Sequence, residues 1–419
     1  MSMRVALRSL VAAGFVLAAG SSAAAAPTFS KDVAPILYKN CVECHRPSAM
    51  APMSLMTFED ARPWARAIKQ KVVRREMPPW GADPTVGKFS NDVSLSQADI
   101  DTISAWVDAG AAEGNRAELP KAPVFAEGWS IGQPDHVFKM IKPFTVPADG
   151  TVPYVYITVP TNLKEDIWVR GIELRPSDRR VVHHIISDMV EDDGKPESGE
   201  PRLTKDQSRK EIGGVGGLVP GRLYGVFEEG VARKIPAGAD IVLQMHYTTI
   251  GQAVTDQTEI GVILAKEPPS RLRVEGGGQM PNFTFVIPPN HPNYEVTAKK
   301  VMDKDTYLTQ VYPHMHVRGK SVQYKILFPD GREEIVLSVP KYDFNWQTSY
   351  RLAEPKFMPK GSTLMVIGHF DNSKGNRYNP DPESEVRWGD QTWEEMLIGY
   401  YSTTDAPRSR PAPTGAQQQ

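Results

Sequence analysis

Apolar positions along the chain change period twice. In residues 27–118 the spacing is helical: Ile100, Ile103, Trp106 and Val107 share one face of "SQADIDTISAWVDAGA". Ser96 with Asp99 three residues on is a helix N-terminal signature, and Gly110 ends the run. Ser30 is placed to cap a helix over "KDVAPILYKN". "DARPWARAIKQKVVRRE" predicts another, stopped by Pro78 and Pro79. Residues 119–134, from "LPKAPVFAEGW" onward, are proline-rich and aperiodic at their start and read as a linker. From about Asp135 to Thr404 the pattern alternates. "YVYITV", "IWVRGIEL", "DIVLQMHY", "EIGVILA", "FTFVI", "SVQYKILF" and "EIVLSV" read as strands, with turn signals such as "PDG", "PAG" and "PPN" between them. This stretch is too long for one small sandwich, so two antiparallel β-sandwich (jelly-roll) domains are expected, over 135–268 and 269–404. Their join falls near "AKEPPSRLRV", and residues 405–419 read as a disordered tail. The expected whole is multidomain: a small all-α domain followed by two all-β domains.

Residues 1–26 carry Arg4 and Arg8, an apolar run from about Leu10 to Ala19, and then "SSAAAA". This is the layout of a secretory signal peptide with cleavage near Ala25, which predicts a periplasmic or secreted protein. No later segment approaches 18 consecutive apolar residues, so no transmembrane segment is expected after cleavage. The balance of 48 Lys+Arg against 50 Asp+Glu gives no basic excess and argues against a nucleic-acid partner. The run Arg66, Lys69, Lys71, Arg74, Arg75 reads as a solvated helix face.

The chain has two cysteines, and both lie in "CVECH", residues 41–45. The spacing C-x-x-C-H is the attachment signature of c-type haem: Cys41 and Cys44 add to the vinyl groups and His45 ligates the iron. A redox dithiol or a zinc pair leaves His45 unexplained, and zinc would need more sulfur than the chain has. The small helical domain is therefore read as a cytochrome c-like unit with one covalent haem. Met77, in "RREMPPW", is the chosen sixth ligand, with Met50, Met53 and Met56 as rivals.

Eight of the nine histidines fall in the β-rich part. His183 and His184 are adjacent, so on a regular strand they face apart, and a bulge is needed for both to meet one ion. His246 lies within a strand. His314 and His316 in "YPHMH" would share one strand face, with Met315 on the other. Met396 opens an apolar strand, where a lone methionine is ordinarily core.

Taken together, the order HH, QxHY, HxH and GDxxxxEM resembles the copper type II, ascorbate-dependent monooxygenases, the family of peptidylglycine α-hydroxylating and dopamine β-monooxygenases. The resemblance covers roughly residues 135 to 404. It implies two jelly rolls with one copper each: an electron-transfer copper on His183, His184 and His246, and an O2-binding copper on His314, His316 and Met396. His136, His291 and His369 match no ligand position and read as structural. Three imidazoles suit one-electron shuttling, and two imidazoles with a thioether favour Cu(I). The peptide-hydroxylating member's carboxylate grip falls here at Tyr312, Ile398 and Tyr400. Only Tyr400 is kept, and no guanidinium fork stands at that place. The family's disulfides are absent too, and this chain carries its own haem motif in place of reliance on ascorbate. The expectation is a haem- and copper-containing C–H monooxygenase that takes O2, an organic substrate and electrons from a periplasmic donor. The alternatives are a non-catalytic electron-transfer or copper-binding protein and an O2 reductase that releases peroxide.

Overall fold

The structure, a computed structural model, describes residues 25–404 except 48, 50, 126–127, 219–223, 228–229 and 267–272. The signal segment to residue 24, the tail 405–419, Met50 and most of the expected join lie outside the described residues. Among them, no helix is long and apolar enough to cross a membrane.

The N-terminal part is helical. Its helices at Ala34–Asn40, Phe58–Ala61, Ala65–Val73 and Gln97–Asp108 close over Phe29, Leu37, Ile103 and Trp106. Ser96 caps the last of these as expected: its side chain accepts the N–H of Asp99, and Gly110 follows the helix at φ +95°. Ser30 is not a cap. Helical backbone already begins at Phe29, because the Asp32 carboxylate takes the Thr28 N–H at 2.7 Å and Ala112 O takes that of Phe29. Ser30 is buried inside the turn, its hydroxyl without a partner.

Residues 80–91 leave this helical core. Trp80 and Phe89 pack into the apolar core of the C-terminal β body, where Trp80 sits edge-on to Tyr350 at 4.9 Å. Backbone bonds from Asp83 to Ser338 and from Ser90 to Arg351, with Asn91 bonded to Ser349 and Arg351, make the segment a strap along that body.

The rest is antiparallel sheet around two cores. In the first body, strands Val155–Pro160, Ala239–Tyr247, Val182–Glu191 and Glu211–Leu218 form one sheet in that order. A facing sheet contains His136–Lys139, Glu259–Leu264, Ile167–Arg175 and Val231–Ile235. Ile157, Ile172, Leu243 and Val262 fill the space between them. In the second body, Tyr294–Val301, Thr363–Phe370, Gly319–Leu327 and Glu333–Val339 face a sheet of Arg273–Pro281, Ile398–Thr404, Thr306–His314 and Tyr350–Met358. Alternation of buried and half-buried residues along Thr363–Phe370 marks its inner face. Backbone pairing of Arg273 with Val231 and of Val274 with Ala232, in parallel, continues one sheet across both bodies. Of "FTFVI" only Val286 and Ile287 form a strand.

Candidate functional site

Inner residues Leu243, Met245 and Tyr247 of strand Ala239–Tyr247 enter the first core. By period two, Gln244 and His246 stand on the opposite face of the sheet. His184 is the direct cross-strand partner of His246, and the register slips between Val182 and His184. His183 is thus the extra residue of a bulge, which turns it toward its neighbour as the sequence required. The three Nδ1 atoms converge: His184 lies 3.2 Å from that of His183 and 3.4 Å from that of His246. Two imidazole nitrogens bound tetrahedrally at ~2.0–2.1 Å stand about 3.3 Å apart, which these two spacings match, and all three ligand atoms lie within 4.8 Å of one another.

The second cluster departs from the expected geometry. The strand ends at His314, and His316 lies beyond it, so the two do not share a strand face. The chain turns because the buried Glu395 carboxylate takes the N–H of His316 at 2.9 Å and of Arg318 at 2.7 Å, in place of ladder partners. The rings still lie together, perpendicular at 5.1 Å, while Met315 is buried in the core. Met396 precedes its strand, Ile398–Thr404, rather than opening it. The register pairs His314 with Ile398, and both His316 and Met396 lie two residues beyond that last pair, off the ladder. The N–H of Met396 reaches the same Glu395 oxygen at 3.3 Å. Met396 is buried yet belongs to none of the apolar core clusters, unlike its neighbour Leu397.

Ring-nitrogen partners define what this cluster can bind. His314 Nδ1 sits 2.6 Å from Gln347 Oε1, and His316 Nδ1 sits 3.3 Å from Glu394 O. Each acceptor holds the proton on Nδ1 and leaves Nε2 with its lone pair, and His316 Nε2 is buried without a partner. In the first cluster His184 Nε2 is likewise buried and unpartnered.

Burial pulls His183 down to about 4, helped by Arg179, and pulls His246 down to about 3, helped by His183 and His314. His314 lies at about 4 through burial, and His184 and His316 are held well below the ordinary value for the same first reason. All five imidazoles are neutral near pH 7, the state a metal needs. Burial pushes Glu395 up to about 8 against the N–H donors and the Arg318 guanidinium, which favour its anion.

The two clusters face one another. The Phe344 ring lies 6.0 Å from that of His183, 6.2 Å from His246 and 5.9 Å from His316. Tyr154 packs on His184 and His246. Tyr400 is the cross-strand partner of Tyr312 with rings stacked at 5.4 Å, and Tyr312 OH reaches Gln347 at 3.1 Å. Tyr400 is thus joined to the second cluster through Tyr312 and Gln347. His136, His291 and His369 lie elsewhere: His136 stacks on Phe138, His291 takes the Asn293 N–H, and His369 meets Glu295 and Ser321.

In the helical part, Cys41, Cys44 and His45 follow the helix Ala34–Asn40 in one tight turn, with His45 N–H bonded to Cys41 O at 2.9 Å. The cysteines are free, and burial pushes the Cys41 thiol up to about 12 and raises that of Cys44. Such thiols do not suit a redox dithiol, which needs a low pKa. His45 Nδ1 lies 3.2 Å from Met53 O, so Nε2 is the nitrogen left for a ligand. Both features suit covalent haem with His45 as axial ligand. Met53 and Met56 pack on the helical core. Met77 is half-buried in the bend after Ala65–Val73 and is not among the side chains packed there.

Sequence reasoning missed Gln347, Glu395, Phe344 and Arg318. Arg318 is 2% exposed and holds Asn372 and Trp393 O beside Glu395. Glu395 lies in the GDxxxxEM stretch, which does not show its role, and no local pattern marks the other three, whose partners lie tens of residues away in sequence.

No protein-family model matches the chain, and no curated protein is similar to it. Solved structures similar to it include the STIV MCP (9% identity, 65% of this chain and 95% of that one, TM-score 0.28). The major capsid protein P2 from Bacteriophage PM2 is also similar (7% identity, 66% and 99%, TM-score 0.25). So is allantoicase from Saccharomyces cerevisiae (9% identity, 62% and 81%, TM-score 0.17).

Proposed function

We propose that the chain is an exported O2-dependent C–H monooxygenase with two coppers and one haem c, and that its two β bodies are jelly rolls behind a cytochrome c-like domain. The carrying observation is the pair of facing clusters with different donor sets: three converging Nδ1 atoms on one side, and His314, His316 and Met396 on the other. The all-imidazole set suits an ion that changes oxidation state without changing ligands, whereas a thioether selects Cu(I) over zinc. Bound metals would supply one-electron transfer at the haem and the three-imidazole copper, and O2 reduction with C–H oxidation at the other. Per O2, two electrons and two protons enter, and one oxygen atom leaves as product hydroxyl and the other as water.

The protein's own residues prepare these sites. Gln347 and the Glu394 carbonyl fix the tautomers of His314 and His316. One Glu395 oxygen accepts the N–H of both His316 and Met396, which ties the two backbones together. Phe344 and Tyr154 fill space beside the imidazoles and keep bulk water from it. Tyr400 and Tyr312 offer an aromatic wall, and Tyr312, Ile398 and Tyr400 put no cation at the place of the family's carboxylate grip, so a substrate without a free carboxylate is favoured. Haem c attachment and the Arg4–Ala25 segment both agree with a periplasmic or secreted location, with a periplasmic protein as electron donor.

The test is metal analysis and turnover on chain matured in the periplasm. The expected result is one covalent haem and two coppers per chain, and with an organic substrate, 18O from 18O2 in the product. Two coppers with no O2 consumption under reductant would favour the non-catalytic alternative. O2 consumption that ends in peroxide would favour a reductase.

A further inference from the structure

Loop 340–349 joins strands Glu333–Val339 and Tyr350–Met358 and carries three groups to the imidazole clusters. Tyr342 grips Met315, the residue between His314 and His316: its hydroxyl accepts the Met315 N–H at 3.1 Å and donates to the Met315 carbonyl at 3.0 Å. Phe344 lies against His316, His183 and His246, and Gln347 Oε1 holds His314. The loop has neither helix nor strand within it. Such a segment holds side chains in place only when its neighbours fix it.

The strap, residues 80–91, fixes it at both ends. At the near end, Asp83 N–H donates to Ser338 O at 2.8 Å. Gly87, at φ +73°, runs so close to the same strand that a Cβ there would stand 2.6 Å from the Val336 carbonyl. At the far end, the Tyr350 hydroxyl donates to Trp80 O at 2.6 Å, and the Trp80 and Phe89 rings pack against that of Tyr350. The Asn91 side chain donates to Ser349 O at 2.8 Å and accepts the Arg351 N–H at 2.9 Å. Ser90 N–H donates to Arg351 O, and Lys88 O accepts the Ala353 N–H. These contacts fall at the ends of the loop, and its middle faces the clusters.

We propose that the strap is a positioning element for the second metal cluster. Trp80 and Asn91 fix loop 340–349, and through Tyr342 and Gln347 the loop fixes His314 and the turn to His316. The segment that leaves the helical part thus helps build a site to which it gives no ligand. The proposal rests on the copper reading above. Ligands of the other cluster come from strands Val182–Glu191 and Ala239–Tyr247, whose register is set by ladder bonds within the first body. Release of the strap therefore acts on one cluster and spares the other.

The test titrates Cu(I) into the full-length chain against a competing chelator, with sulfur scattering in the copper X-ray absorption spectrum marking the Met396 site. Trp80→Ala combined with Asn91→Ala should weaken Cu(I) binding at the His314–His316–Met396 cluster about tenfold, the low end of what loss of an outer partner costs, and leave the other cluster unchanged. Trp80→Phe keeps an aromatic ring against Tyr350 and should bind Cu(I) as the unsubstituted chain does. Val296→Ala opens the same core at the sheet edge opposite Glu333–Val339 and should change neither affinity. Unchanged affinity at the second cluster in the double variant, equal loss at both clusters, or the same loss in Val296→Ala overturns the positioning role alone. An unsubstituted chain that takes up no sulfur-ligated Cu(I) overturns the copper reading and this proposal with it. If the double variant does not fold, Asn91→Ala decides: it removes two hydrogen bonds and no ring packing, and an unchanged second cluster overturns the proposal.

Discussion

Gln347 Oε1 lies 2.6 Å from His314 Nδ1, across 33 residues of chain, and both groups are buried. The amide oxygen orients the ring and holds its proton on Nδ1, which leaves Nε2 with its lone pair. Replacing Gln347 with Leu should weaken Cu(I) binding at the His314–His316–Met396 cluster about 10- to 100-fold, with the His183–His184–His246 cluster unaffected. Competition titration with a Cu(I) chelator measures this. Equal loss at both clusters, or none, would contradict the assigned role.

Glu395 is 0% exposed and accepts three backbone N–H groups, from His316, Arg318 and Met396. Glu395→Ala leaves these donors unserved and should destabilise the protein by about 3 kcal/mol or more, because each buried group without a partner costs ~1–3 kcal/mol. Glu395→Gln keeps an oxygen acceptor and should cost less. Denaturant midpoints of the metal-free proteins rank the two.

Metal-free protein should lose stability on mild acidification. His183, His246 and His314 are folded at about 4, about 3 and about 4, below the unfolded value of about 6.5. Between these limits the unfolded chain binds more protons at each imidazole, so their joint contribution to stability rises with pH. Glu395, raised to about 8 in the folded chain, offsets part of it with the opposite sign. As pH falls below 6.5 it is lost, at up to about 1.4 kcal/mol per unit for each imidazole. Urea midpoints at pH 7.5, 6.5 and 5.5 should fall in that order, and His246→Phe should flatten the slope. A flat profile in the unsubstituted protein would contradict burial of these rings.

Trp80 ties the helical part to the second β body through Tyr350, whose hydroxyl donates to Trp80 O at 2.6 Å. Trp80→Ala should cost about 3–5 kcal/mol and expose residues 80–91 to protease. Limited proteolysis with mass mapping reads out the cut. Cleavage confined to other segments would show that the strap is held elsewhere.

Local chemistry made much of this legible. Ser96 and Asp99 announced a helix start, and the adjacency of His183 and His184 required the bulge that the register shift supplies. The strand pattern located most of the strands. What failed were places where a distant side chain outbids local periodicity. The Ala112 carbonyl, with Asp32, moves the helix start ahead of Ser30, and Glu395 pulls His316 off the ladder that "YPHMH" suggested. Gln347, Phe344 and Arg179 lie in no motif; only the folded chain brings them to the clusters.

The strap has a consequence for the order in which the molecule is assembled. Asn91 bonds to Ser349, 258 residues later in the chain. The strap that follows the C-x-x-C-H turn is seated on residues 338–353, which lie far later in the chain. Closing a contact across so long a loop is slow. The helical segment can therefore take its final place only after the second β body has folded.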